Sequence, residues 1–543
     1  MLNTKTMAVE TDGVNIARPW DEGAPVTDWS AFPGCYALLL NQRLSRPMDM
    51  SLWRMKLDTT RQLFVDDELV AHMANLHRTC HTTTDHPASP VLPGCWAEYI
   101  YPDPEHGLRM YYMSKGSLAH VAYSQDGLAW AKPDLGLVDV AALGERFAGG
   151  PNNVVADAQL HGMFYEPNDP DPSRRWKLIS TNKKFQQRWL PPGSDQPAKP
   201  VTTYKLMVSP DGYRWRDEAE TNLMRSLTID FRAPYQRPMG TGDVLQVQWD
   251  PKLRTYLAHI KQTIGPDLRL TPVYHAGRAI AMSESDDLIH WSTPRYYAYP
   301  DGEDAKMPGM YGIYEANGFP YESMWFNYLS MTSYEPADPE LRKDRKLERN
   351  RPYIKRNWIR LAASRDGRHY YYFGDRVPFV PHSETTERPA HYNRMANLIN
   401  VGGPVVHDDE LWFYHIANTI DGPKLSWQYN TRLATLRRDG FASLDAGNEP
   451  GVVITRPTIF TGKGELFINA QTKSNGFVRA SVIEENGSEI AGFTESDAVD
   501  FQGNSTRVRL AWKNHQTLAS LKDRYVRLAF NLRNASLFSF WIA

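Results

Sequence analysis

Short runs of alternating apolar and polar residues recur along the chain, each closed by turn residues, and predict half-buried β-strands. Thr203 to Val208 is such a run, and Ser209-Pro210-Asp211-Gly212-Tyr213-Arg214-Trp215 closes it. Asp-Gly suits a tight turn because glycine tolerates positive φ, and the tryptophan opens the next strand. The same punctuation returns as Ser124-Gln125-Asp126-Gly127 before Trp130, Ser285-Asp286-Asp287 before Trp291, and Ser364-Arg365-Asp366-Gly367 before Tyr370. A decayed fifth copy reads Arg438-Asp439-Gly440-Phe441. Asp126, Asp211, Asp287, Asp366 and Asp439 follow one another at intervals of 85, 76, 79 and 73 residues, a regularity that signals a repeat architecture.

Each repeat reads as a first strand, an acidic or glycine turn, a second strand, and a third that ends at the Asp-Gly punctuation. The first runs Trp96 to Tyr101, Leu108 to Met113 and Ala119 to Tyr123. The second starts at Asn152-Asn153-Val154-Val155 and continues through Trp176 to Ser180; the third runs Val244 to Trp249, Thr255 to Ile260 and Arg278 to Ser283. The fourth runs from Tyr314 through Met331 to Trp358–Ala363, and the fifth from Asn393 through Leu411–His415 to Thr431–Leu436. Five antiparallel units of three to four strands predict an all-β fold, a five-bladed β-propeller. Two β-sandwiches sharing a hairpin turn would account less well for the even spacing. The Pro- and Gly-rich stretch 189–201 and the mixed-charge stretch 338–351 read as solvated loops between strands.

Beyond residue 446 the punctuation stops. Leu466 to Ala470, Val478 to Val482, Val508 to Trp512 and Val526 to Phe530 alternate apolar and polar residues between polar turns, the pattern of a β-sandwich. The expected division is an N-terminal arm of uncertain structure over 1–58, the propeller over 59–446 and the sandwich over 447–543.

Composition narrows the function. Aromatics reach 12 per cent, with 16 Trp and 28 Tyr, which suits strands and sugar-binding surfaces. A net charge of −2 supplies no general attraction to nucleic acid or to a membrane surface. Cys35, Cys80 and Cys95 are odd in number and lack metal-ligand spacing, so they read as buried small residues. No apolar run reaches the ~18 residues that cross a bilayer, and the N-terminus lacks the regions of a secretory signal. The expectation is a cytoplasmic protein, or an extracellular one if a leader has been removed, with homo-oligomerisation left open.

A propeller brings the starts of its first strands together at one mouth, so carboxylates at those positions carry more information than others. They are Glu98, Asp243 and Glu315, accompanied by Asn152, Asn153, Asn317, His391, Asn393 and Arg394. Any one carboxylate there could equally be a salt-bridged strand end; three acids from three repeats, with amides, a histidine and an arginine between them, match what glycoside hydrolysis needs. One carboxyl protonates the leaving oxygen, another activates water or attacks the anomeric carbon, and polar donors hold the sugar hydroxyls. Glu315 is read as the general acid, Glu98 as base or nucleophile, and Asp243 as a charge that modulates the acid. Asp66, Asp67, Asp103, Glu105, Asp250, Glu322, Asp408, Asp409 and Glu410 fall at turns or far strand ends and read as turn formers. No cofactor or metal motif is present, and a cation in the funnel is left open.

Leu63-Phe64-Val65-Asp66-Asp67 followed by Arg78, His81 and Pro90-Val91-Leu92, and then the repeated punctuation, resembles bacterial proteins related to glycoside hydrolase families 32 and 43. In the tail, Phe460 to Asn469, Ile490-Ala491-Gly492-Phe493 and Val526-Arg527-Leu528 resemble the C-terminal sandwich of those proteins. The resemblance covers roughly residues 60 to 543. It implies a five-bladed propeller with an appended β-sandwich and exo-acting chemistry on the end of an oligosaccharide or polysaccharide, with a furanoside among the expected sugars. The family 32 signatures Asn-Asp-Pro-Asn-Gly, Arg-Asp-Pro and Glu-Cys are absent, and the roles of Glu98, Asp243 and Glu315 rest on strand position alone. A polysaccharide lyase using His391 and Arg394, and a carbohydrate-binding propeller without chemistry, are the competing readings.

Overall fold

The computed structural model describes residues 7–11, 14–17, 54–114, 118–147, 149–189, 199–225, 240–241, 244–263, 278–301, 303–304, 310–336, 353–380, 403–421 and 426–543. Strands dominate, and they follow one another as antiparallel meanders. The first consists of Trp96–Asp103, Gly107–Met113, Ala119–Ser124 and Val154–Ala156. The second is built from Gly162–Tyr165, Trp176–Trp189, Lys199–Ser209 and Arg216–Arg225. Leu245–Asp250, Thr255–Thr263, Arg278–Ser285 and Arg295–Ala298 make the third, and Met310–Tyr321, Met324–Pro336, Tyr353–Ser364 and Tyr371–Tyr372 the fourth. The fifth has Val405–His407, Glu410–Asp421 and Ser426–Arg437, and its outer edge is completed by Thr84–Asp85 and Leu92–Pro93 from the other end of the chain.

The turn motif forms through its own side chains. Asp211 accepts the backbone N–H groups of Tyr213 and Arg214 at 2.8 and 2.9 Å. Ser209 Oγ donates to Asp211 at 3.0 Å and accepts from the Gly212 N–H at 2.9 Å, while the Trp215 indole donates to the Gly212 carbonyl at 3.0 Å. The same serine and aspartate bonds recur at Ser124–Asp126, Ser285–Asp287 and Ser364–Asp366. Local hydrogen bonds of this kind specify a turn without help from the rest of the fold.

Apolar clusters show how the meanders are arranged. Tyr99, Val121 and Val155 pack with Met163 and Leu178, joining the first meander to the second. Phe164, Ile179 and Leu206 meet Leu245, Val247 and Ile260, and Ile280 meets Ile313, Leu329 and Met331. Phe319, Phe326 and Ile359 pack on Leu411 and Phe413, and Trp412, Tyr414 and Leu433 return to Ala97, Met110 and Tyr112 of the first. Each meander packs on the next and the last on the first, which is the closed ring of a β-propeller. The third and fourth meanders are also hydrogen-bonded to each other where Arg278 pairs with Gly312, so the two share one eight-stranded sheet.

The sequence reading misplaces one strand. Val154–Ala156, expected to open the second repeat, is instead the fourth strand of the first meander, with Ala119 facing Ala156 and His120 facing Val154. Alternation marks a strand but not the side of a meander it joins. Here an irregular stretch with a 3₁₀ segment at Ala141–Arg146 separates it from its partner strand. Gly162–Tyr165 opens the second meander.

The C-terminal strands join a ten-stranded hydrogen-bonded sheet that takes in Met55–Leu57, Gln62–Leu63, Val70–Ala74, Leu76–Cys80 and Ala442–Ala446. It therefore reaches across both expected boundaries, 59 and 446. Leu57, Phe64 and Leu69 are buried with Val478, Trp512, Leu528 and Phe540 in its core. No helix among the described residues is long and apolar enough to cross a membrane.

Candidate active site

First strands of successive meanders lie beside one another at the centre: the Val247 N–H donates to the His161 carbonyl at 2.6 Å, and the third and fourth first strands are also in contact. Glu98 lies on the first strand of the first meander, where Tyr111 faces Tyr99 and Tyr112 faces Ala97. Glu98 is thus the extra residue of a β-bulge, a device that re-aims a side chain. Glu315 follows a second bulge, between Ile313 and Glu315. Both carboxylates are buried, with 1% and 3% of their surface exposed.

Two further residues bring these strands together. The Tyr99 hydroxyl donates to Gln246 Oε1 at 3.3 Å, and Gln246 Nε2 donates to Glu315 Oε1 at 2.8 Å. Gln246 uses its acceptor on one partner and its donor on the other, so its amide orientation is fixed. Burial, and then the nearby Glu98, Tyr101 and Glu315, push the Tyr99 phenol well above its ordinary range. Tyr99 is consequently a neutral hydrogen-bond donor that feels both carboxylates. Asn317 is buried two residues beyond Glu315, on the same strand face.

Two cations gather at Tyr314, the residue before Glu315. The Lys261 ammonium lies 4.0 Å from the centroid of the Tyr314 ring, and the Arg278 guanidinium 4.8 Å from it. The second meander contributes His161, whose Nε2 lies 3.0 Å from Thr181 Oγ1, and Thr181 in turn donates to Gln159 at 2.6 Å. Sequence reasoning missed Tyr99, Gln246, His161, Lys261 and Arg278. Gln246 left a trace: it is polar within Val244-Leu245-Gln246-Val247, a run expected to line the centre of the molecule.

Asn152 and Asn153 precede the outer strand of the first meander and not a first strand. Asn152 Nδ2 donates to the Val138 carbonyl at 2.9 Å. Asn153 is buried and bonds Tyr112, the Val121 carbonyl and His120 within its own meander. Asp243, His391, Asn393 and Arg394 lie outside the described residues, as do residues 190–198 of the first expected loop and all of the second, 338–351. Among the described residues no group of three His, Cys, Asp or Glu side chains is placed to hold a metal ion.

No family model matches the chain, and no curated protein matches it. Solved structures similar to it include an N-acetylgalactosamine deacetylase from F. plautii, at 9% identity over 70% of this chain and 96% of that one, with a TM-score of 0.37. A GH32 beta-fructofuranosidase from Bombyx mori is similar at 10% identity over 85% of this chain and 94% of that one, TM-score 0.34. An alpha-L-arabinanase mutant from Cellvibrio cellulosa is similar at 11% identity over 67% and 96%, also with a TM-score of 0.34.

Proposed function

We propose that the chain is a glycoside hydrolase acting on the end of an oligosaccharide or polysaccharide. The hydrogen-bonded series Tyr99–Gln246–Glu315 carries this reading, because it joins first strands of three meanders and leads from the neighbour of one buried carboxylate to the other. Glu315, oriented by Gln246, is assigned as general acid to the leaving oxygen. Glu98 is assigned as base or nucleophile, and Asp243, three residues before Gln246, as the modulating carboxylate. The chemistry needs this division: a proton must reach the glycosidic oxygen while water or a carboxylate attacks the anomeric carbon.

Incubation of the full chain with a panel of oligosaccharides tests the proposal, with new reducing ends as the expected product. Glu98→Gln and Glu315→Gln should each lower turnover by about 10²-fold or more while the protein stays folded. An unsaturated product absorbing in the ultraviolet would replace hydrolysis with elimination. Sugar binding without any product would leave a binding protein. Near-normal turnover in both variants would sink the role assignments.

A further inference from the structure

The mouth end of the first meander carries a second constellation, built from consecutive strands. Ser114 follows the second strand, His120 lies on the third, and Asn153 precedes the fourth. Met113, the residue before Ser114, faces Trp96 at the start of the strand that bears Glu98. Ser114 Oγ lies 2.7 Å from His120 Nε2, and His120 Nδ1 lies 3.0 Å from Asn153 Oδ1.

The hydrogen-bond network fixes the protons. Asn153 spends its amide donor on the Tyr112 hydroxyl and the Val121 carbonyl, both at 2.7 Å, so Oδ1 is the atom turned toward the imidazole. That oxygen can only accept, hence Nδ1 carries the proton and Nε2 presents a lone pair to the Ser114 hydroxyl. The Tyr112 ring is nearly parallel to the imidazole, 14° away with centroids 5.0 Å apart, which restrains its tilt. His120 and Asn153 are buried, whereas Ser114 is only half-buried. Burial holds the His120 pKa below its ordinary value, with Asn153 opposing and the positive charge of Lys132 adding to the shift. The imidazole is therefore neutral near pH 7 and competent as a base.

We propose that Ser114, His120 and Asn153 form a nucleophilic site for carboxylic esters, with Ser114 and His120 as catalytic residues and Asn153 as the positioning residue. A serine, a general base and a third group that holds the base's tautomer are recognised by geometry, and asparagine fills the third place in some cysteine hydrolases. In the step, Ser114 Oγ bonds to the ester carbonyl carbon as its proton passes to His120 Nε2. The C–O bond to the alcohol breaks, and the alcohol leaves with that proton. Water then adds to the acyl-serine, giving its proton to Nε2, and the serine departs protonated with release of the acid. The Lys132 ammonium lies 5.5 Å from the centroid of the same Tyr112 ring and donates to Cys95 Sγ at 3.4 Å. This inference stands apart from the glycosidase reading and survives its failure.

The test treats the full chain with a fluorophosphonate probe and locates the adduct by peptide mass. One adduct on Ser114 is expected, together with hydrolysis of p-nitrophenyl acetate that Ser114→Ala lowers by about 100-fold or more. Asn153→Ala should slow inactivation by the probe (kinact) while leaving the probe's apparent affinity (KI) unchanged, a split that a merely structural asparagine would not produce. If Asn153→Ala does not fold, the Ser114 adduct and the Ser114→Ala rates decide alone. Absence of an adduct on Ser114, under conditions that label a control serine hydrolase, would overturn the proposal. Ester hydrolysis unchanged by Ser114→Ala would overturn it equally, leaving the histidine as a satisfied core residue.

Discussion

The Asp439 carboxylate is bonded at 2.6 Å to the guanidinium of Arg61, a residue 378 positions earlier in the chain. Asp439 is wholly buried and also accepts from the Tyr321 hydroxyl at 2.7 Å, Ser539 Oγ at 2.6 Å and Asn469 Nδ2 at 3.1 Å. The fourth meander, the fifth, the N-terminal segment and the C-terminal sheet thus converge on one carboxylate. Arg61 is held further by the Thr506 carbonyl at 2.9 Å and by the Trp541 ring, 4.0 Å from its guanidinium. The decayed fifth copy of the turn motif has become the joint between propeller and C-terminal sheet.

Asp439→Ala should therefore be far more damaging than the equivalent change in an intact turn. It strands a buried arginine, a loss of about 3–5 kcal/mol. Asp211→Ala removes turn bonds at a partly exposed site and should cost about 1–2 kcal/mol. Urea midpoints of the two variants separate the cases, and equal shifts would show that Asp439 is no more than a turn residue.

Gly212 and Gly94 make a matched pair. Both have positive φ, +80° and +70°. A Cβ on Gly212 would lie 2.3 Å from the Tyr111 hydroxyl and 3.2 Å from the Trp176 ring, whereas nothing lies within 4 Å of one on Gly94. Gly94→Ala should cost only the left-handed backbone, about 1–2 kcal/mol, and Gly212→Ala more, because Tyr111 is fully buried and cannot retreat. Thermal melting of both variants checks the order.

Legibility tracks the range of the interactions. The turns could be read because Ser, Asp and Gly bond within four residues of one another. The pairing of Ala442 with Cys80 and of Val452 with Ala74 could not, because nothing local in Leu76–Cys80 says which distant strand it will meet. Asn152 and Asn153 were misplaced for the same reason: a strand's pattern does not name its neighbour. Strand position singles out Glu98 and Glu315, but the Tyr99 phenol and the Gln246 amide that lead to Glu315 sit in apolar runs where Tyr and Gln pass for ordinary strand residues.

Acid should weaken the fold before most carboxylates titrate. Burial pushes His259 down to about 3, and His415 down to about 4, the latter with Asp85 opposing and Arg432 adding to the shift. Between these values and the ordinary 6.5 the unfolded chain binds the more protons. Their contribution is therefore complete above pH 6.5 and is lost as pH falls, at about 1.4 kcal/mol per pH unit for each histidine. Asp366, whose burial is outweighed by hydrogen bonds from His369 and nearby backbone that hold it down to about 2, loses its contribution only below its ordinary 3.8, outside the range from pH 6.5 to 5. Urea midpoints should drop between pH 6.5 and 5, less steeply in His259→Gln; a flat profile would contradict the burial of these rings.

The bond between Tyr99 and Gln246 should be measurable as a coupling between two substitutions. Tyr99→Phe removes the donor and leaves Gln246 Oε1 without that partner, while Gln246→Met removes the amide from both Tyr99 and Glu315. Each single change breaks a buried polar contact, for which about 1–3 kcal/mol is expected. The double variant has no broken Tyr99–Gln246 contact left to penalise, so its loss should fall short of the sum by about 0.5–3 kcal/mol, the range for residues that touch. Denaturation of the four proteins measures that coupling without any substrate. On an oligosaccharide that the chain cleaves, Gln246→Met should lower kcat more than it raises KM, since a mispointed Glu315 impairs proton delivery more than sugar binding. Additive stabilities would show that the Tyr99–Gln246 bond does not form in solution. A change confined to KM would leave Gln246 as a wall of the site with no hold on the acid.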